Sequence, residues 1–212
     1  MPSKNIYYVG TGGYANYSTL AEIPASILAA GDTTIAMGPG TYDPLTNAVL
    51  NNVSFVGQGV HDEIVINGNF TIANTSTGII TFENLTLAGT GTASAVTGAV
   101  QKLGIGSCPI FIRHCTITSG ALGVVHHGTS AQAGITKQVE MEYTDARNTD
   151  RAIYANANIA VSFSALNNIT ANAYFTYGAG GVAIVGGANV TASTSTGSNV
   201  GNMTETIIAF IS

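Results

Sequence analysis

A short pattern of apolar and polar residues recurs along the chain at intervals of a few tens of residues. Each copy runs apolar, polar, Asn-like, apolar, Ser or Thr, apolar. The copies begin at Leu50, Phe82, Ile112, Met141 and Leu166, and a weak echo follows at Asn189. Self-similarity at this spacing is typical of solenoid proteins, in which each repeat forms one coil that stacks on the next. The drifting interval predicts coils joined by loops of unequal length.

The copy at Phe82 shows how one coil is built. Ile80 and Phe82 alternate as residues on one face of a strand do, and Leu85 and Leu87 alternate in a second strand of opposite phase. A corner at Asn84 corrects the phase, because Asn tolerates left-handed backbone and can bond to its own main chain. Two short strands joined by an Asn corner, repeated along the chain, predict an all-β parallel β-helix.

The inward positions of this template predict the hydrophobic core. Equivalent positions of successive coils should stack on one another along a single axis. The predicted core residues are Leu50, Val53, Phe55, Ile80, Phe82, Leu85, Leu87, Ile110, Ile112, Cys115, Ile117 and Ile169.

The first part of the chain follows a different pattern and is predicted to form an N-terminal cap. Residues 6–10 form a strand, and a helix begins near Tyr17, with Ser18 or Thr19 as its cap and Glu22 placed for a capping box. The helix continues through residues 25–30, and a strand follows at 33–37. We therefore divide the chain into a cap (1–45), β-helix coils (46–192) and a C-terminal tail or strand that contacts other subunits (193–212).

Two phrases in this region carry a family resemblance. Residues 32–42 include Asp32, Thr33, Ile35 and a Pro-Gly-Thr-Tyr sequence, and residues 55–59 end in Gly-Gln-Gly. This stretch resembles the opening of pectate-lyase-like right-handed β-helix proteins, pectin methylesterases among them. The resemblance implies a right-handed, single-stranded parallel β-helix whose N-terminal end is closed by a short capping helix. It implies little about activity, because the superfamily includes lyases, esterases, hydrolases and viral spikes.

Composition narrows the function classes. The 212 residues fit one domain, and 45% of them are hydrophobic, which is enough for a continuous core. Only 8% are charged, against about 25% in typical proteins, so the surface is built of neutral polar residues or is partly covered by other subunits. Six Lys and Arg argue against nucleic-acid binding. We expect no membrane span, no signal peptide and synthesis in a host cytoplasm.

Candidate catalytic groups are few and concentrate in one stretch. Acidic residues and arginines are dense between Glu140 and Arg151. Together with His126 and His127, Glu142 and Asp145 could form a general acid-base or metal site. The alternative, which we favour, is that these groups are solvated or form ion pairs between subunits. The chain has no Trp and no Gln-Asp pair of the pectin-esterase type, so we expect no enzymatic activity, no cofactor and no metal.

Two further residue types bear on the interpretation. Cys108 and Cys115 are the only cysteines, and the template puts Cys115 inside, so we predict buried thiols, although a disulfide between them stays open. Several tyrosines, including Tyr143, are candidate platforms for stacking a sugar ring.

Two functional hypotheses follow from these patterns. The first is a non-enzymatic virion protein, such as a phage capsid decoration or tail-associated β-helix, which assembles as a homotrimer and binds other virion proteins such as a major capsid protein. The apolar C-terminal residues 207–211 and the low charge favour it. The second is a β-helix that binds or degrades a polysaccharide, with a glycan as its partner.

Overall fold

The computed structural model describes residues 5–90, 97–104, 108–118, 122–127, 139–146 and 151–156, and the backbone of four later strands. The elements in chain order are β1 (Asn5–Val9), a 3-10 helix (Leu20–Glu22), α1 (Ala25–Ala30), β2 (Thr33–Met37), β3 (Gly40–Tyr42), β4 (Val53–Gly57), a second 3-10 helix (His61–Glu63), β5 (Ile64–Asn67), β6 (Phe70–Ile72), β7 (Ile80–Glu83), β8 (Thr86–Ala88), β9 (Gly98–Lys102), β10 (Ile110–Arg113), β11 (Thr116–Ile117), β12 (Leu122–His126), β13 (Val139–Glu142), β14 (Arg151–Asn156), β15 (Val161–Ser164), β16 (Asn172–Tyr177), β17 (Val182–Val185) and β18 (Met203–Thr206).

The strands form three parallel sheets that run the length of a β-solenoid of about four turns. Sheet A has the order β1-β2-β4-β7-β10-β13-β15, sheet B the order β11-β8-β5-β3, and sheet C the order β16-β14-β12-β9-β6. β17 and β18 pair with each other in parallel, outside these three sheets. Each coil thus contributes a strand to successive walls, which confirms the predicted parallel β-helix architecture.

The register of sheet A tests the predicted repeat. Neighbouring strands pair residues 20, 27, 30, 29 and 22 apart, as in Thr33 with Val53, Ser54 with Thr81, Ile80 with Ile110, Ile110 with Val139, and Val139 with Val161. The copies at Phe82, Ile112 and Met141 are confirmed, because Phe82 pairs with Ile112 and Ile112 pairs with Met141. The drift in coil length is therefore real.

The predicted alignment is wrong for the first and last of the clear copies, those at Leu50 and Leu166. Phe82 pairs with Phe55 and not with Leu50, because Asn52 forms the corner before β4 whereas Asn84 forms the corner after β7. Both corners have left-handed backbone, with φ of 50° and 55°, so the sequence pattern looks alike at two different bends. In the last copy Met141 pairs with Phe163, and Leu166 itself lies outside the described residues.

The core lies inside the three walls, as predicted. Every predicted core residue is buried except Ile169, which falls outside the described residues. Phe55, Phe70 and Phe82 form its aromatic centre: Phe55 stacks on Phe82 with ring centroids 5.3 Å apart, and Phe70 contacts both rings edge-on at 5.1 Å. Such aromatic contacts add to the area they bury.

The N-terminal cap closes one end of the solenoid, but its helix is divided. Glu22 accepts hydrogen bonds from the Ser18 and Thr19 amides, as the capping box predicts, yet only a 3-10 turn follows. Ile23 is extended and Pro24 caps a separate α1, because proline restricts the residue before it to extended backbone. No helix in the described part of the chain is long and apolar enough to cross a membrane.

The cap also covers part of the first strand's open edge. The main-chain oxygen of Tyr8 accepts hydrogen bonds from the amides of Asn16 and Tyr17, and the Tyr8 amide donates to the Asn16 side chain. Covering an edge in this way prevents strand pairing with another molecule. Strands β2 and β3 lie within residues 1–45, the predicted cap, and pair with β4 and β5 of the next coil. Of residues 193–212, only β18 lies in the described part.

Candidate functional site

The structure separates the histidines from the carboxylates of the candidate site. His126 is the last residue of β12 and is fully buried, with its Nε2 3.0 Å from the carbonyl oxygen of Cys108. Cys108 precedes β10, whereas Glu142 pairs with Arg113 at the far end of that strand. At about 3.3 Å per residue, a four-residue strand puts about 10 Å or more between the two groups. His126 and Glu142 therefore belong to different ends of the coil.

The carboxylates of β13 face away from the core. Glu140 and Glu142 alternate with the fully buried Val139 and Met141, and Glu142 is partly exposed whereas Glu140 is covered, at 6% exposure. Glu142 Oε2 is 3.3 Å from Nε of Arg113, and the Arg113 guanidinium lies 5.2 Å above the ring of Phe111. This ion pair lies within one chain, and the predicted ion pairs between subunits stay a prediction.

The remaining two candidates are also apart from each other. His127 is partly buried, with Nε2 3.3 Å from the side-chain nitrogen of Gln101, and burial lowers its pKa. Asp145 lies beside sheet B, where its main chain pairs with Thr116. In the described part of the chain, no three His, Cys, Asp or Glu side chains come together as a metal site would require.

Instead, the histidine belongs to a polar group inside the hydrophobic core. Ile72, Lys102, His126 and Ala155 are register partners in sheet C, so Lys102 and His126 share the inward-facing column of a core isoleucine. Lys102 is fully buried and donates to the Leu103 carbonyl at 2.6 Å. Burial lowers the pKa of Lys102, lowers that of His126 to about 4 and raises that of the Cys108 thiol to about 12.

Both cysteines are free and buried, which confirms the predicted thiols. Cys115 Sγ lies 3.1 Å from the Arg113 carbonyl oxygen and 3.5 Å from that of Phe82, and burial raises its pKa to about 12. A thiol that stays protonated at neutral pH is a poor nucleophile, so neither cysteine has the character of a catalytic one.

A polar cleft lies elsewhere, at the corner between sheets A and B. Its volume is about 320 Å³, and its lining includes His61, Asn84, His114, Thr116, Tyr143 and Asp145. These residues come from four successive coils, so the cleft runs along the solenoid axis. We call it the corner cleft.

One column of corner residues forms the back of the corner cleft. Asn84, His114 and Tyr143 each follow a strand of sheet A and have left-handed backbone, with φ of 55°, 49° and 48°. The rings of His114 and Tyr143 stack almost in parallel, 9° apart in plane and 4.8 Å between centroids. The Asn84 amide group donates to the carbonyl oxygens of Gly57 and Gly59, at 3.0 and 2.8 Å, and so ties its corner to the preceding coil.

Sequence reasoning did not single out His61 or His114 as site residues. His114 had a usable signal, since the repeat places it and Tyr143 at the corner position that Asn84 occupies. His61 had none, because it lies in a loop outside the repeat and only the coil geometry brings it to the cleft.

No known protein family, curated protein or solved structure gives a significant match to this chain.

Proposed function

We propose that this chain is a non-enzymatic structural protein of a virion, a phage capsid decoration or tail-associated β-helix that assembles as a homotrimer. The observation that carries the proposal is an exposed apolar patch at the N-terminal end of the solenoid. It consists of Ile6, Tyr8 and Tyr14, which expose 54%, 48% and 96% of their surface. We call it the N-terminal apolar patch.

The geometry of this patch suits a protein partner. Ile6 and Tyr8 lie on the same outward face of β1, and Tyr8 and Tyr14 flank a groove of about 470 Å³. None of the described residues that line that groove is charged. Interface cores are depleted of charge and enriched in tyrosine, and contiguous exposed apolar surface commonly marks an interaction site.

Two further features support a structural role over a catalytic one. The candidate acid-base groups are divided between the interior and the outer face, and the buried His126 is neutral and enclosed by core residues. The opening phrase at residues 32–42 supports the finer proposal that the solenoid is a right-handed β-helix of the pectate-lyase-like type. That superfamily includes viral spikes as well as enzymes.

Assembly is tested by light scattering on the purified chain after size-exclusion chromatography. We expect three times the monomer mass, and a shift to monomer in Tyr8→Lys, because a cation in the interface would lose its solvation. Val49→Lys is the matched control, since Val49 is similarly exposed, at 45%, and lies outside the groove. A stable monomer at micromolar concentration, or equal dissociation by both variants, contradicts the proposal.

The virion role needs a separate measurement. An antibody raised against the chain should label virus particles purified from its source in electron micrographs. The finding of the chain only in particle-free fractions would rule out a virion component while leaving the trimer result intact.

A further inference from the structure

We propose that the corner cleft binds a neutral carbohydrate chain that lies along the solenoid axis across successive coils. The proposal goes beyond the structural role and does not depend on it, because the corner cleft and the N-terminal apolar patch share no residue.

The first argument is the cost of placing aromatic rings at these corners. Six residues other than glycine have positive φ in the described part of the chain, and four of them are Asn or Asp: Asp32, Asn47, Asn52 and Asn84. The other two are His114 and Tyr143, which stack on each other in the cleft. Histidine, like Asn and Asp, adopts left-handed backbone more often than most residues, but for the bulky Tyr143 it is a conformational outlier, and such strain concentrates at functional positions. The chain thus uses Asn or Asp at its other left-handed positions and aromatic rings at the two that line the corner cleft.

The second argument is the supply of unused hydrogen-bonding groups. In the described part of the chain, the side-chain oxygen of Asn84, the ring nitrogens of His114 and the hydroxyl of Tyr143 make no hydrogen bond to protein. Tyr143 is exposed over 46% of its surface, so its hydroxyl and ring are accessible. A sugar hydroxyl both donates and accepts hydrogen bonds, and its ring carbons pack on aromatic surface.

The shape of the cleft favours a linear ligand. Its lining residues come from four successive coils, and three steps of about 4.8 Å between coils give a length of roughly 14 Å. The polar groups recur at the coil spacing, so a chain of similar repeating units would meet similar partners at each step.

The charges of the cleft disfavour anionic linear ligands. Among the described residues no Lys or Arg lines it, so it lacks the cations that bind phosphates of nucleic acids or carboxylates of acidic glycans. An extended peptide binds most readily by adding to an open strand edge, but β8 and β10 are paired on both sides, and β11, the last strand of sheet B, is bonded to the main chain of Asp145. These observations favour a neutral glycan.

The test is binding of the fluorescently labelled full chain to an array of immobilised neutral and acidic glycans. We expect neutral linear glycans to bind and polygalacturonate not to bind. His114→Asn and Tyr143→Asn should each weaken binding roughly fivefold, which corresponds to about 1 kcal/mol for each lost stacking contact. Asn suits left-handed backbone, so these variants remove the ring without straining the corner.

Val49→Asn is the control, because Val49 is exposed over 45% of its surface and lies outside both the corner cleft and the N-terminal apolar patch. It should bind as the unmodified chain does, and circular dichroism should show all three variants folded. The proposal is overturned if no neutral glycan binds, if polygalacturonate binds more tightly, or if binding survives in the His114→Asn, Tyr143→Asn double variant.

Discussion

At the scale of single residues, the least expected feature is ionisable chemistry inside an apolar column. Lys102 and His126 follow Ile72 in the same inward register, and Cys108 lies against the histidine. Burial disfavours the charged form of each group, which is why the pKa values of Lys102 and His126 are lowered and that of Cys108 is raised. The interior tolerates His126 and Cys108 because both are neutral near pH 7, and Lys102 because its side-chain nitrogen donates to the Leu103 carbonyl.

This environment predicts acid destabilisation. Burial lowers the pKa of His126 from 6.5 to about 4, so between these values the unfolded chain binds a proton that the folded chain does not. The free energy of unfolding should therefore fall as the pH falls from 6.5 to 4, by about 3 kcal/mol from this residue. Urea unfolding at a series of pH values measures it.

The matched pair for this measurement is His126→Gln and His61→Gln. Gln cannot titrate but can still donate to the Cys108 carbonyl, so His126→Gln should flatten the acid limb of the stability curve. His61 lies outside this buried group, with 40% of its side chain exposed, and its replacement should leave the acid limb in place. His127 also faces this region, and burial lowers its pKa from 6.5, so some slope will remain. Burial also lowers the pKa of Lys102, but from 10.5, so its contribution to the pH dependence begins at alkaline pH. Identical curves for both variants would show that His126 is not buried as described.

At the scale of elements, the coils fit together through tight corners. Gly57 ends β4 directly against the corner of the next coil, and a Cβ built there would lie 2.0 Å from the main-chain oxygen of Asn84. The same corner is fixed by the two hydrogen bonds of the Asn84 amide group. The close approach leaves no room for any side chain at Gly57.

Gly57→Ala should therefore destabilise the protein by about 1–3 kcal/mol, because the backbone of one coil must shift away from the next. Gly12→Ala is the control, since nothing lies within 4 Å of a Cβ at that position. Chemical denaturation of both variants compares them directly. Equal stability of the two would mean that β4 and the Asn84 corner are not in the described contact.

At the scale of the whole molecule, a solenoid must protect its ends. Leu20, Ile23 and Leu28 of the cap are buried in the same core cluster as the coils, and the Leu28 carbonyl oxygen accepts a hydrogen bond from the Asn51 amide. The cap thus covers the end of the core with a helix whose exposed residues, Ala25, Ser26, Ala29 and Ala30, are small. Terminal repeats of solenoids commonly cap the core in this way.

Leu28→Asp should open this cap, because it replaces a buried apolar side chain with an unpaired charge. We expect a loss of about 3 kcal/mol or more and association of the exposed ends at high concentration. Ala29→Asp is the control, since Ala29 is exposed in the same helix. Thermal unfolding combined with light scattering follows both effects. A soluble, fully stable Leu28→Asp protein would contradict a packed cap.

The sequence alone determined the architecture and most of the core. Alternation within strands and recurrence between coils are local properties, so Phe82, Ile112 and Met141 could be aligned before their pairing was known. The strand at β1 and the capping role of Glu22 were equally local, and both are confirmed. Within the cap, the prediction of one continuous helix across Pro24 is wrong, although proline's restriction of the preceding residue can be read from the sequence.

Tertiary structure alone decided the register of the first copy and the composition of the site. Asn52 and Asn84 both have left-handed backbone, but Asn52 comes before its strand of sheet A and Asn84 comes after its own. The local pattern is the same at both bends and cannot tell them apart. Whether His126 points inward depends on the phase of its strand. Val124 and Val125 before it are both apolar, so alternation does not show which of the two faces the core. His61, His114 and Tyr143 meet only because loops of unequal length still return each coil to the same corner, and that closure is a property of the whole chain.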